Sequence, residues 1–179
     1  MKLHVLKPEM ILYAAYANMV YLVVYLAEIY LSFFVAGAFT APIQALEIIL
    51  SIIIYTGWIE VGRKFRNQLM QNVSMVAVWL VPIAGILSVA LGFLGPLPTP
   101  FIVVWSLAMG LILIVFGFSM LRLKRRFANL AKATGWVDIV AGFCILSVML
   151  MPIALVLMLP MIILETLVLL RAYKKVRKK

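Results

Sequence analysis

Charge, histidine and cysteine are all scarce in this chain. Asp, Glu, Lys and Arg make up 12% of its 179 residues, where a globular domain carries about a quarter. Histidine occurs once, at His4, and cysteine once, at Cys144. A single cysteine excludes an intrachain disulfide, and one His and one Cys far apart cannot by themselves build a transition-metal site or a haem ligand pair. No histidine base stands near a nucleophile, and no acidic cluster suits a metal-dependent lipid transferase. The expectation is a protein with no cofactor, no metal and no enzymatic role.

Hydrophobic residues, by contrast, make up 66% of the chain. A soluble protein of this size has too little interior to hide that much apolar surface. Apolar runs fall at about 10–36, 43–61, 73–94, 101–121 and 135–170. About 20 such residues cross the roughly 30 Å core of a bilayer as a helix, so the chain is a multi-pass membrane protein. The first run is longer than the roughly 7–15 apolar residues of a signal peptide and has no small-x-small cleavage site. It reads as a retained span. "AGAFTAP" (36–42) and "GPLPTP" (95–100) break the helical pattern between spans.

The last run is too long for one crossing, since 36 residues of helix would reach about 54 Å. Charge decides how it divides. All sixteen Lys and Arg lie in "MKLHVLKPE", in "RKFR" (63–66), in "RLKRRFANLAK" (122–132) or in the tail from Arg171, and none in 37–42 or 95–100. Five spans would put the six basic residues of the tail opposite the other ten; six spans put all of them on one side. Basic residues mark the cytoplasmic side, which selects a tight outer hairpin near Pro152–Leu157. The expected fold is therefore all-α, a single integral membrane domain over residues 1–179. Its six transmembrane helices lie at about 9–36, 43–62, 73–94, 101–121, 135–152 and 156–173, as three tandem in-out-in hairpins in the cell membrane with both termini cytoplasmic.

The net charge of +10 follows from the same asymmetry and calls for no nucleic acid. Arg63, Lys64, Arg66, Arg122, Lys124, Arg125 and Arg126 form a cytoplasmic basic rim suited to anionic lipid headgroups. A homo-oligomer or a partner membrane subunit stays open. An internal repeat links two parts of the rim: "RKFRNQL" (63–69) matches "RRFANLA" (125–131) at Arg63/Arg125, Phe65/Phe127 and Asn67/Asn129. A third copy, "LLRAYKKV" (169–176), resembles "MLRLKRRF" (120–127). "GWIEVGRK" (57–64) has the glycines and lysine of a phosphate-binding loop but lacks the preceding strand and the following Ser or Thr, so it reads as a helix end. Ser88-x-x-x-Gly92 and Ser106-x-x-x-Gly110 are small-residue pairs that let helices pack closely in lipid.

The acids carry the functional hint. Glu28, Glu47 and Glu165 lie inside apolar runs with no Lys or Arg beside them, while Glu60 and Asp138 sit closer to basic helix ends, within reach of Arg63, Arg126 or Lys132. A carboxylate at membrane depth costs several kcal/mol, about 2.5–3.5 on insertion scales, so it faces the bundle interior, finds partners or takes up a proton. Asn18, Tyr21, Tyr25, Glu28 and Ser32 follow helical spacing and share one stripe of span one. Glu47, Ser51 and Tyr55 continue it on span two. Together they suggest a polar groove between spans one, two and six, with Asn18, Tyr21, Tyr25, Glu28, Glu47 and Glu165 as a substrate or ion pathway. The leading expectation is a small membrane carrier or a substrate-binding transporter subunit. The alternative is a non-catalytic structural or accessory subunit whose buried acids only pack helices. In size and span count alone, six spans in under 180 residues, the chain is similar to the membrane-embedded substrate-binding subunits of energy-coupling-factor vitamin transporters.

Overall fold

The computed structural model describes residues 8–34, 40–94, 98–147 and 149–177; the side chains of 32–34, 40, 41 and 92–94 fall outside that description. Among the described residues six helices follow one another: α1 (Glu9–Phe34), α2 (Thr40–Lys64), α3 (Gln68–Leu94), α4 (Thr99–Arg122), α5 (Lys124–Leu146) and α6 (Met151–Arg177). All six are long and apolar enough to cross a membrane. A helix satisfies its own backbone donors and acceptors, which is why apolar runs of this length adopt it in lipid. Large apolar side chains point outward where a soluble protein would place charge: Trp79 is 70% exposed, Val23 66% and Ile86 61%. The molecule is a polytopic membrane helical bundle.

Four helices match the expected spans to within about five residues, inside the usual scatter of helix ends plus a little. The last two do not. The connection between α5 and α6 lies at residues 147–150, not at Pro152–Leu157, which is helical. Pro152 sits in the first turn of α6, where a missing backbone donor is an orphan in any case. Pro160 lies within α6, tolerated there as transmembrane helices often tolerate proline. So Pro152 flanks the break from its far side and Pro160 makes none that ends the helix. α5 also starts well before the expected residue 135, because the basic segment from Lys124 is itself helical.

α1 packs on α2 and α6, α2 on α3, α4 on α5 and α5 on α6, with a thinner contact between α3 and α4. The α4–α5 seam is the tightest. Gly117 faces Gly135 and Gly110 faces Gly142, so close that a Cβ on Gly117 would stand 2.6 Å from the Gly135 carbonyl oxygen. Ser106 is buried on the same helix as Gly110, as the small-residue spacing predicts. Ser88 instead lines a cavity, and the surroundings of Gly92 lie outside the described residues.

At one end of the bundle the basic residues of the described chain gather: Arg63, Lys64 and Arg66 after α2, Arg122 to Arg126 between α4 and α5, and Lys174, Lys175 and Arg177 in the last turns of α6. The start of α1 joins them, since Leu12 and Tyr16 border one groove with Tyr173, Lys174 and Arg177. Both described chain ends therefore lie at the basic end. The repeat is visible here in the backbone. Arg66 (φ 55°) and Ala128 (φ 50°) both adopt the positive φ that side chains disfavour, and each directly precedes the matched asparagine. Their neighbouring rings meet edge to face, Phe65 and Phe127 at 5.1 Å. Asn67 caps α3 by accepting from the Met70 amide (3.3 Å) and donates to the Ser119 carbonyl (2.7 Å). The break at Ala128 leaves the Arg126 carbonyl to Lys175 Nζ, which donates to it at 3.0 Å. The third sequence copy forms no such turn; it continues α6. Around these turns the core is aromatic and aliphatic, with Trp58 set edge to face on Phe116 at 5.3 Å and Ile11, Met70 and Met120 wholly buried.

Candidate functional site

Polar residues of α1 divide between two seams. Asn18 and Tyr25 are seven apart, as are Tyr21 and Glu28; seven residues bring a helix back to within about 20° of the same direction, while three leave about 60° between the pairs. The first pair faces α6. Asn18 Nδ2 donates to the Ile162 carbonyl and to Thr166 Oγ1, both at 3.1 Å, and the Tyr25 hydroxyl donates to the Leu155 carbonyl at 2.9 Å. These two side chains tie α1 to α6. The second pair faces α2 and lines an open chamber. The side chain of Ser32, next on the stripe, is outside the described residues.

That chamber, about 240 Å³, lies in the half of the bundle away from the basic end and is partly open. Four helices build it: Tyr21 and Glu28 from α1, Gln44, Glu47 and Ser51 from α2, Ser88 from α3 and Trp105 from α4. The Glu28 and Glu47 carboxyl groups come within hydrogen-bonding reach of each other. Carboxylates only accept, so a bond between the two requires a proton on one of them. Glu47 Oε1 is buried with no protein partner. No Lys or Arg is among the residues lining the chamber.

A second cavity, about 100 Å³, continues inward. It shares Tyr21, Ser51, Val81 and Met109 with the chamber, and adds Asn18, Tyr55 and Glu165. Asn18 and Glu28 stand ten residues apart on α1, about 15 Å along the helix, with Tyr21 between them lining both cavities. Glu165 is 7% exposed, with the Asn18 side chain in hydrogen-bonding reach. Asp138, on α5, is fully buried within electrostatic reach of Glu165 and Tyr55.

The sequence-based site is thus brought together in part. Glu28, Glu47 and Tyr21 share the chamber; Glu165 and Asn18 lie a level deeper; Tyr25 is a helix tie stacked on Tyr21, their rings 6.5 Å apart. The groove is not one between spans one, two and six: α3 and α4 wall the chamber, and α6 enters only the deeper cavity. Glu60 pairs as its position suggests, with Arg63 at 3.3 Å and Lys64 at 3.5 Å. Asp138 does not. Lys132 is six residues earlier, 240° around the helix, and both it and Arg126 are exposed while Asp138 points inward. Gln44, Trp105 and Met109 line the chamber without having been singled out; Gln44 stands three residues before Glu47 and extends the Glu47, Ser51 and Tyr55 stripe, whereas nothing in the spacing of Trp105 and Met109 distinguishes them from packing residues. The basic rim residues Arg66, Arg122, Lys124, Arg125 and Arg126 are exposed at the opposite end from the chamber.

No family model, curated protein or solved structure matches this chain. The likeness to vitamin-transporter subunits is therefore one of size and span count only. Chemistry has to be read from the site itself. Among the described residues no group of three or more His, Cys, Asp and Glu gathers to hold a metal ion. What the chamber offers is a paired carboxyl, a phenol, hydroxyls and an amide around a space of about 240 Å³ inside a membrane. Such a set can accept hydrogen bonds from a cationic group and neutralise it at a depth where an unpaired acid is costly.

Proposed function

We propose that the protein is a small membrane carrier, or the substrate-binding subunit of a transporter, which takes a small positively charged solute into the chamber lined by Glu28 and Glu47. The observation that carries this reading is the carboxyl pair itself. It lines a partly open chamber, has no Lys or Arg beside it, and leaves Glu47 Oε1 unpartnered. Asn18 and Tyr25, by contrast, spend their hydrogen-bonding capacity on α6. By the positive-inside rule the basic end is cytoplasmic, so the chamber receives its solute from outside, and the rim rests on anionic headgroups. The reading involves no catalytic step.

A second reading, an accessory subunit without a ligand, draws on the bonds from Asn18 and Tyr25 to α6, which do hold helices together. Two substitutions at Glu28 separate the two. Glu28→Gln keeps size and most hydrogen bonding but removes the acid, whereas Glu28→Leu leaves Glu47 without its partner. For a carrier, thermal-shift screening of the purified protein against small amines and alkylammonium ions finds a saturable ligand for the wild type. The Gln variant folds but loses it. If instead no such compound shifts the wild type, Gln is neutral and Leu costs about 1–3 kcal/mol of stability, the accessory reading stands.

A further inference from the structure

Glu165 is an acid that the chamber alone leaves unused. It is the one charged residue lining the inner cavity, whose walls are mostly apolar, with Ile54, Leu113, Phe116 and Met161 among them. No Lys or Arg lines either cavity. Among the described residues the ion pairs are those of Glu60 with Arg63 and Lys64. A buried acid at membrane depth calls for a partner, and no described cation pairs with this one.

The two cavities meet at Tyr21, Ser51, Val81 and Met109, which line both, and their acids stand at opposite ends. Asn18 donates to Thr166 Oγ1, one residue after Glu165, which fixes Glu165 at the level of Asn18. Glu28 lies ten residues further along α1, about 15 Å away. α1 and α6 run antiparallel, since Asn18 meets Ile162 while Tyr25 meets Leu155. Helical side chains tilt toward the N-terminus of their own helix, so Glu28 and Glu165 lean toward each other and their carboxyl groups are closer than their backbones. Together the two volumes, about 240 and about 100 Å³, reach the low end of ligand-sized pockets, about 300–1,000 Å³.

An acid at each end, with apolar walls between, selects a solute that carries a cation at each end. A single amine on Glu28 and Glu47 leaves Glu165 uncompensated, and a zwitterion brings a carboxylate that no lining Lys or Arg receives. An ammonium group has three donors and no acceptor, which suits Glu165 with the Tyr55 hydroxyl at the inner end as it suits the carboxyl pair at the outer one. We propose that the solute is a linear diamine or polyamine, one ammonium on the Glu28–Glu47 pair and the other on Glu165, with its methylene chain against Val81 and Met109. The proposal rests on the chamber reading and names the class of solute within it.

Titration calorimetry on the purified full chain in lipid nanodiscs tests this, with empty nanodiscs as the blank. The ligands are propylamine, diaminobutane and diaminooctane, each diamine beside the amino alcohol of equal length, in which a hydroxyl replaces one ammonium. Diaminooctane should bind about tenfold or more tighter than aminooctanol, the effect of giving a buried charge its partner. Diaminobutane, too short to reach both acids, should lose most of that advantage over aminobutanol. Glu165→Gln should bring diaminooctane down to the aminooctanol level and leave propylamine binding within about twofold, because propylamine stays in the chamber. Equal affinity of diaminooctane and aminooctanol in the wild type overturns the proposal without relying on any variant, and leaves the chamber reading standing. So does an advantage as large for diaminobutane, or one that survives Glu165→Gln. Absence of saturable binding by every amine, propylamine included, removes the chamber reading and this proposal with it.

Discussion

Adding one methyl group at Gly117 and at Gly85 sets two kinds of neighbour against each other. A Cβ at Gly117 would lie 2.6 Å from the Gly135 carbonyl oxygen and 3.0 Å from the Ile139 amide nitrogen. A Cβ at Gly85 would lie just as close to a heavy atom, but its neighbours are Ile48 Cγ1 at 2.6 Å and Cδ1 at 2.7 Å. Ordinary carbon–oxygen contact needs over half an ångström more room. On α4 that room exists only if two helix backbones separate, and the cost of such overpacking is about 1–3 kcal/mol. On α3 a side chain can change rotamer for about 1 kcal/mol or less. Both substitutions regain up to about 1 kcal/mol of helix propensity, which cancels in the comparison. Gly117→Ala should therefore be less stable than Gly85→Ala by about 1–3 kcal/mol, read from unfolding in mixed micelles by graded denaturing detergent. Combining Gly117→Ala with Gly135→Ala should cost less than the sum, because one displacement of α4 from α5 relieves both clashes. Equal stability of the two single variants, or full additivity in the pair, would refute the backbone-contact account of this seam.

Asn18→Leu removes two donations to α6 while Thr166 still serves the Ile162 carbonyl, so the loss should be about 1 kcal/mol, at roughly 0.6 per membrane hydrogen bond. The same unfolding measurement checks it, and a loss above about 3 kcal/mol would show that Asn18 does more than tie helices. Topology is tested by a cysteine appended after Lys179 in a Cys144→Ser background. It should resist an impermeant thiol reagent applied to intact cells, and labelling from outside would reverse the orientation.

How far the sequence spoke varies from one feature to the next. The number of helices was legible because the basic residues mark every second helix end, a signal independent of any packing detail. The turn between α5 and α6 was not. Proline ends a helix from one side and begins one from the other with equal chemical ease, and Pro152 proved to be a beginning. Helical spacing found the polar stripe of α1 but could not show that it straddles two seams, since three- and four-residue steps spread it over about 60°. The glycine seam was written in the sequence as Gly110 and Gly117, and Gly135 and Gly142, each pair seven apart. Which helix faces which is a tertiary fact, so that spacing had no partner to point to. Asp138 was readable with one more step, because its position about 120° around the helix from Lys132 already set the two on different faces.

The account turns on the chamber being a water-accessible, negatively polarised space inside the membrane. Single cysteines at Ser88, which lines it, and at Ile86, 61% exposed on the outer surface of the same helix, test this directly in a Cys144→Ser background. Only a thiolate reacts with a charged, membrane-impermeant thiosulfonate, and it forms in water and not in lipid. With a cationic reagent, Ser88→Cys should be modified from outside and Ile86→Cys should not. Ser88→Cys should also react more slowly with an anionic reagent of similar size, because the Glu28–Glu47 pair repels it. A Ser88→Cys that stays unreactive while the protein is folded, or that reacts equally with both reagents, would contradict the account.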